Sequence, residues 1–175
     1  MLSGFAASGK TTIGQRYLKD HPLALLIEGD ELIVNLGQWL KYEDEARLIT
    51  FELMKSLART QLALNHDVLW PFLLTNAAHI AEIESIAKDT GAQTYEFLLD
   101  IPKPAAIARL LKRGRWGEAG LDALTDKDLP VIEELYDTMV GELSQRPQST
   151  IINVENKSVE QTYQEIMAHL RAADD

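Results

Sequence analysis

No cysteine occurs among the 175 residues. That excludes a disulfide framework, thiolate metal sites and a cysteine nucleophile. No apolar run is long enough to cross a bilayer, and no signal-peptide pattern opens the chain. The cytoplasm is therefore the expected compartment, with no membrane partner. Basic residues are few: 17 Lys and Arg stand against 27 Asp and Glu, a formal net charge of −10. This balance argues against a non-specific nucleic-acid or anionic-membrane surface, but leaves room for a local basic pocket for phosphates. The acid is concentrated. Six carboxylates lie between Glu28 and Glu45 against Lys41, and eight between Glu118 and Glu142 against Lys127. Such runs usually read as solvated faces. Repeats, low-complexity tracts and an interdomain linker are also missing, so residues 1–175 read as one domain with a sizeable core.

What is present starts at once. Gly4-Phe5-Ala6-Ala7-Ser8-Gly9-Lys10-Thr11 is a complete G-x-x-x-x-G-K-T loop. Such a loop wraps backbone N–H groups around the phosphates of a nucleotide. Gly4 and Gly9 allow angles that a Cβ forbids, Lys10 reaches the β- and γ-phosphates, and the Thr11 hydroxyl ligates Mg²⁺. Ala6, Ala7, Ser8 and Thr12 complete the cradle. The helix that starts here adds its positive end. The loop should follow a buried strand, yet only Met1, Leu2 and Ser3 precede it. Either the first strand is a stub or the natural chain begins further upstream.

Beyond the loop, apolar runs alternate with helical patterns, which points to a parallel α/β sheet. Helices are expected over 11–20, 44–65, 77–88, 104–112, 128–144 and 159–171. Strands are expected over 23–27, 68–70, 94–99 and 150–154. Pro71 should stop or distort the third strand, because it cannot donate to a ladder. On the long helix, Ile49, Leu53 and Leu57 form one apolar stripe and Phe51, Met54, Ala58 and Leu62 the next. Gly114, Gly117 and Gly120 punctuate a segment over 113–126 that reads as a mobile lid.

Three further features narrow the class. The second strand ends in Glu28-Gly29-Asp30. The fourth is followed by Pro102 and a helix carrying Arg109, Arg113 and Arg115. The last is followed by Glu155-Asn156-Lys157 and a helix. With the phosphate loop, this order resembles the P-loop small-molecule kinases of the P-loop nucleoside triphosphate hydrolase superfamily. They include gluconate and shikimate kinases, chloramphenicol phosphotransferases and adenylate kinases. The resemblance implies a three-layer α/β/α fold with a five-stranded parallel sheet in the order 2-3-1-4-5. It implies Mg²⁺ and ATP as cofactors, and a γ-phosphoryl transfer to a hydroxyl of a small metabolite or drug. The absence of a GTPase-type base-recognition motif favours ATP. Many relatives carry an aspartate at the end of the third strand. Here that stretch is Trp70-Pro71-Phe72-Leu73, and the only acid, Asp67, is at the strand's start. The metal is then left to Thr11 with Glu28 and Asp30.

Within that reading, Asp30 orients the acceptor hydroxyl and takes its proton. An N-cap of the helix at Glu31 is the competing role, and the two are compatible. Glu28 points to the same side as Asp30 in an extended chain, and could instead be a solvated strand end. Arg113 and Arg115 clamp the transferring group, or else simply end a basic helix. The resemblance places Arg109 on the adenine and Asn156, in the loop after the last strand, among the cofactor-binding residues. Arg47 and Arg59 lie on the helix that flanks the acceptor in these kinases; a buried one would indicate an anionic acceptor. Trp39, Trp70 and Phe72 are candidate pocket walls, with buried core the favoured reading, and His79, after the third-strand loop at the polar stretch Thr75-Asn76, is weighed for a catalytic role and set behind the others. Two other readings stay open: a nucleoside, nucleotide or nucleic-acid-end kinase, and a nucleotide-binding ATPase or regulatory module without a small-molecule acceptor. The chain could act as a monomer or a homodimer.

Overall fold

A computed structural model describes residues 1–144 and 146–174. The first strand, β1 (Leu2–Gly4), is buried along its whole length. The phosphate loop leads from it into α1 (Lys10–Asp20). Then come β2 (Leu25–Leu26), the short α2 (Gly29–Ile33), a 3-10 turn at Trp39–Tyr42 and the long α3 (Glu43–Ala63). Next are β3 (Val68–Leu69), β4 (Pro71–Phe72), α4 (Ala77–Thr90), β5 (Phe97–Asp100) and α5 (Lys103–Arg113). The chain closes with α6 (Leu129–Leu143), β6 (Thr150–Asn153) and α7 (Val159–Asp174).

All strand pairs are parallel. One sheet has the order β4-β1-β5-β6, and β2 pairs with β3 alone. The expected single five-stranded sheet is therefore split, and the split falls at Trp70. Val68 and Leu69 pair with β2 on one side; Pro71 and Phe72 pair with β1 on the other. Pro71 has no N–H to offer, so the segment changes partner here rather than ending. Trp70 itself accepts from Leu2 N–H at 3.0 Å. Counting 68–72 as one strand recovers the order 2-3-1-4-5. The second strand is shorter than expected because Leu23 is in the left-handed region, at φ 64.

Helices cover the sheet in pairs: α1 packs on α7, α3 on α4 and α5 on α6. The main core lies under the phosphate loop and includes Phe5, Leu99, Leu110, Ile132 and Ile152, all fully buried. Each such side chain contributes roughly 1.5–3 kcal/mol by leaving water. Two small separate clusters lie under β2, α2 and α3. One holds Ile27, Met54, Ala58 and Trp70, the other Ile33, Trp39 and Ala46. The face that α3 buries is Ala46, Thr50, Met54 and Ala58. The stripe Ile49, Leu53 and Leu57, read as apolar from the sequence, lies exposed. At the amino end of the strands, Arg146 pairs with the buried Glu96 at 2.8 Å and also reaches Glu84.

Candidate active site

The phosphate loop is built by backbone geometry. Ala7 (φ 61), Gly4 (φ 151) and Gly9 (φ 102) all have positive φ. Alternation of left- and right-handed residues turns successive N–H groups inward as an anion nest. Gly4 is also a matter of space: a Cβ there would lie 2.7 Å from Ser8 Oγ and 2.9 Å from the Leu99 carbonyl oxygen. The N-terminus of α1 has no side-chain cap, so its first N–H groups are left for a ligand. Thr11 and Thr12 lie in this first turn and are exposed. Ser8 Oγ is buried with no hydrogen-bond partner. Lys10 Nζ donates to the carbonyls of Gly4 (2.7 Å) and Phe5 (2.9 Å), across its own loop. Burial lowers its pKa to about 8, partly countered by the charges of Asp30 and Glu28 and reinforced by Arg113. An orphaned hydroxyl, an uncapped helix and a desolvated ammonium are the features a bound phosphate chain satisfies.

Glu28 is extended and stands at the N-cap of α2, with no side-chain cap bond. Asp30 lies inside the first turn of α2, so its side chain is not the cap. Loss of solvent raises the Asp30 pKa, and the charge of Glu118 raises it further; Lys10 opposes the shift. Desolvation likewise lowers the Arg113 pKa, while Asp30 holds it up. Lys10, Glu28, Asp30 and Arg113 thus share one electrostatic site. Arg113 Nε donates to the Arg115 carbonyl at 2.8 Å, which folds the helix end back on itself. Arg115 is exposed and touches this site only through its charge on Arg113. Arg109 donates to the carbonyls of Val154 (3.4 Å) and Glu155 (3.0 Å), tying α5 to the loop that holds Asn156.

A pocket of about 260 Å³ opens beside Asp30, between α2, α3 and the 70–80 segment. Phe51, Trp70, Phe72, Thr50, Arg47, His79 and Glu118 line it. The rings of Phe51 and His79 lie 4.5 Å apart. Arg59 is not among the lining residues; it pairs with Asp89 on the exposed side of α3. Trp39 is core rather than wall. Asp67 accepts from Tyr17 Oη at 2.8 Å. It lines a larger cavity, of about 600 Å³, with Met1 and Tyr95 near the amino ends of the strands and away from the phosphate loop.

The segment 113–126 lies against α2 and the pocket beside Asp30. Leu121 packs on Ile33, Trp39 and Ala46. A Cβ added at Gly117 would fall on the Asp30 carboxylate. Glu118 accepts from Arg47 Nη1 at 3.0 Å, and its side chain is only 11% exposed. Sequence reasoning missed Glu118 and Thr50 as site residues. The one available signal was Leu121, an apolar residue amid glycines and acids, which marks a segment with something to pack against.

No group of three or more His, Asp or Glu side chains converges as a metal cage among the described residues. The oxygen donors present, Thr11, Glu28 and Asp30, suit Mg²⁺, which keeps most of its waters and is carried largely by substrate phosphates.

The phosphate loop at the end of a buried central strand, running into α1 in a parallel α/β sheet, defines a P-loop nucleotide-binding fold. The model of the AAA domain matches residues 1–139, so the chain belongs to the AAA domain family. Shikimate kinase from Bacteroides thetaiotaomicron shares the fold with a TM-score of 0.65 and 18% identity, over 97% of this chain and 96% of that one. The tunicamycin resistance protein of Deinococcus radiodurans matches with a TM-score of 0.59 and 17% identity, over 97% and 93%. APS kinase from Mycobacterium tuberculosis matches at 0.60 and 18%, over 97% and 95%. The chain therefore has the fold of P-loop kinases. No curated protein matches its sequence.

Proposed function

We propose that this protein is a phosphotransferase that moves the γ-phosphoryl of ATP to a hydroxyl of a small molecule. The observation that carries this reading is the shared site of Lys10, Asp30 and Arg113, with an acceptor-sized pocket opening beside Asp30. The bond made joins the acceptor oxygen to phosphorus; the bond broken links that phosphorus to the ADP leaving group. The nest of residues 4–11 and Lys10 bind the phosphates and stabilise the charge that develops on them. Asp30 orients the acceptor hydroxyl and takes its proton as the new bond forms. Its raised pKa suits that task. Arg113, at the end of α5 and coupled by charge to Asp30 and Lys10, supplies the second cation, with Arg115 beside it at the lid base. Arg109 and Asn156 form the rim for the nucleoside. The lid over 113–126 excludes water when closed. Mg²⁺, held through Thr11 with Glu28 and Asp30 as outer carboxylates, would neutralise charge on the β- and γ-oxygens. A cytoplasmic location, where ATP and Mg²⁺ are available, belongs to this reading.

The test is ADP release from Mg-ATP, with and without a pool of hydroxylated metabolites, by wild type and Lys10→Ala. Stimulation by the pool in wild type alone supports a kinase. ATP turnover that no acceptor changes supports an ATPase or regulatory module instead.

A further inference from the structure

The walls of the pocket beside Asp30 state what charge they accept. Among the described lining residues Arg47 is the one Lys or Arg, and all three of its guanidinium nitrogens are engaged by carboxylates. Nε and Nη2 donate to Glu43 Oε1 at 3.1 and 2.7 Å, and Nη1 donates to Glu118 at 3.0 Å. Arg47 is thus neutralised twice, once from its own helix and once from the lid. Arg47 is half exposed, so an incoming anion would compete for it with Glu43 and with the largely buried Glu118. Asp30 remains, with Glu28 behind it, and no free cation faces either from the acceptor side among the described lining residues. The other lining residues are mostly apolar, Phe51, Met54, Trp70 and Phe72 among them, with Thr75, Asn76 and His79 as the polar exceptions. One buried hydroxyl is unspent. Thr50 is 5% exposed, lines the pocket, and its Oγ1 has no hydrogen-bond partner. A buried hydroxyl left unpaired is costly unless a ligand completes it.

We propose, building on the kinase reading, that the acceptor is an amine-bearing alcohol with an apolar face: its hydroxyl on Asp30, its ammonium drawn to Asp30 and Glu118, and a further polar group on Thr50 Oγ1. Alcohols carrying a carboxylate, sulfate or phosphate are disfavoured. Two carboxylates flanking a small, partly dry space attract a cation and repel an anion, and each effect is stronger there than in water. The arrangement sets selectivity by repulsion as much as by attraction.

The experiment is a charge-sorted acceptor screen. Wild-type protein with Mg-ATP is offered amine-bearing, neutral and anionic alcohols, with aminocyclitols, cyclitols and cyclitol carboxylates among the probes. ADP release and phosphorylated product are both read. Binding of ADP to the phosphate loop is measured separately. Hits concentrated among the amine-bearing alcohols, with kcat/KM at least tenfold above neutral counterparts, support the proposal. Phosphorylation confined to anionic alcohols overturns it and leaves the kinase reading standing. No phosphorylation in any class, with ADP still bound, overturns both. Glu118→Gln then tests the cause. Freeing Arg47 should raise kcat/KM for a carboxylate-bearing alcohol, or let one be used at all, and lower it for the amine-bearing hit. Equal effects on both classes would mean that Glu118 only holds the lid. Thr50→Val should raise KM for the preferred acceptor severalfold with kcat little changed, and an unchanged KM removes Thr50 from the contact.

Discussion

Nucleotide binding should carry the protonation of Lys10 with it. In the free protein its ammonium is desolvated and titrates at about 8. Anionic phosphates replace the loop carbonyls as its partners and should return it to at least its ordinary value of 10.5. The sign follows. Below pH 8 Lys10 is charged in both states and affinity is flat. Above pH 8 the free protein loses the proton that the complex keeps, so binding must take it up, and affinity falls by about tenfold per pH unit. The window closes near 10.5, after roughly 3 kcal/mol. Between pH 7 and pH 9 the ADP dissociation constant should rise about tenfold, with roughly 0.9 proton taken up at pH 9. Calorimetry in two buffers of different ionisation enthalpy reads both numbers. Lys10→Arg, which keeps its charge throughout, should flatten the profile. An equal dissociation constant at pH 7 and 9, with no proton uptake, would refute the placement of Lys10 at the phosphates.

Asp30→Asn should lower turnover by about 10²-fold or more, with ADP affinity within a few-fold. Because the Asp30 pKa is raised, its ionised form opposes folding above that pKa; the Asn variant should therefore melt no lower than wild type at pH 7. A lowered melting temperature with kcat intact would make the residue structural. Gly117→Ala puts a methyl on the Asp30 carboxylate. It should cut kcat without changing ADP affinity, and parallel loss of both would show general misfolding. Arg146→Ala strands the buried Glu96. It should cost about 3–5 kcal/mol, roughly 10 °C in melting temperature, while a shift under 2 °C would mean the pair is worth little.

The nucleotide half was legible because its signals are local. The loop spans eight consecutive residues, and Lys10 and Thr11 need only the turn and helix that follow. The acid pair Glu28 and Asp30 was legible for the same reason, being fixed by a strand end two residues wide. The acceptor half was not. Glu118 sits 71 positions from Arg47, inside a run of carboxylates that reads as a solvated face, and only the folding back of 114–126 buries it. Thr50 looked like any helix-surface threonine. The stripe Ile49, Leu53 and Leu57 has sound helical periodicity, but periodicity names a face without saying which face finds a partner. Pro71 was rightly read as a disturbance, yet whether it ends a strand or shifts its pairing depends on the neighbour it meets.

The shift of pairing at Trp70 has a mechanical consequence. The phosphate loop stands on a four-stranded sheet and one large core. The pocket beside Asp30 has one wall on that sheet and core, at Pro71, Phe72, Leu74 and Ile80, and its opposite wall, at Ile33 and Met54, on the small clusters under β2, α2 and α3. Cooperative units of unequal stability open separately. Amide hydrogens of β2, α2 and α3 should therefore exchange before those of β1 and β5, with the phosphate loop holding its shape while the pocket's α2–α3 wall opens. Heritable change follows the same seam. On the kinase reading, substitutions among Ile33, Trp39, Met54 and Trp70 should reshape the pocket beside Asp30 more than the phosphate loop. The molecule is thus a fixed chuck with an interchangeable jaw.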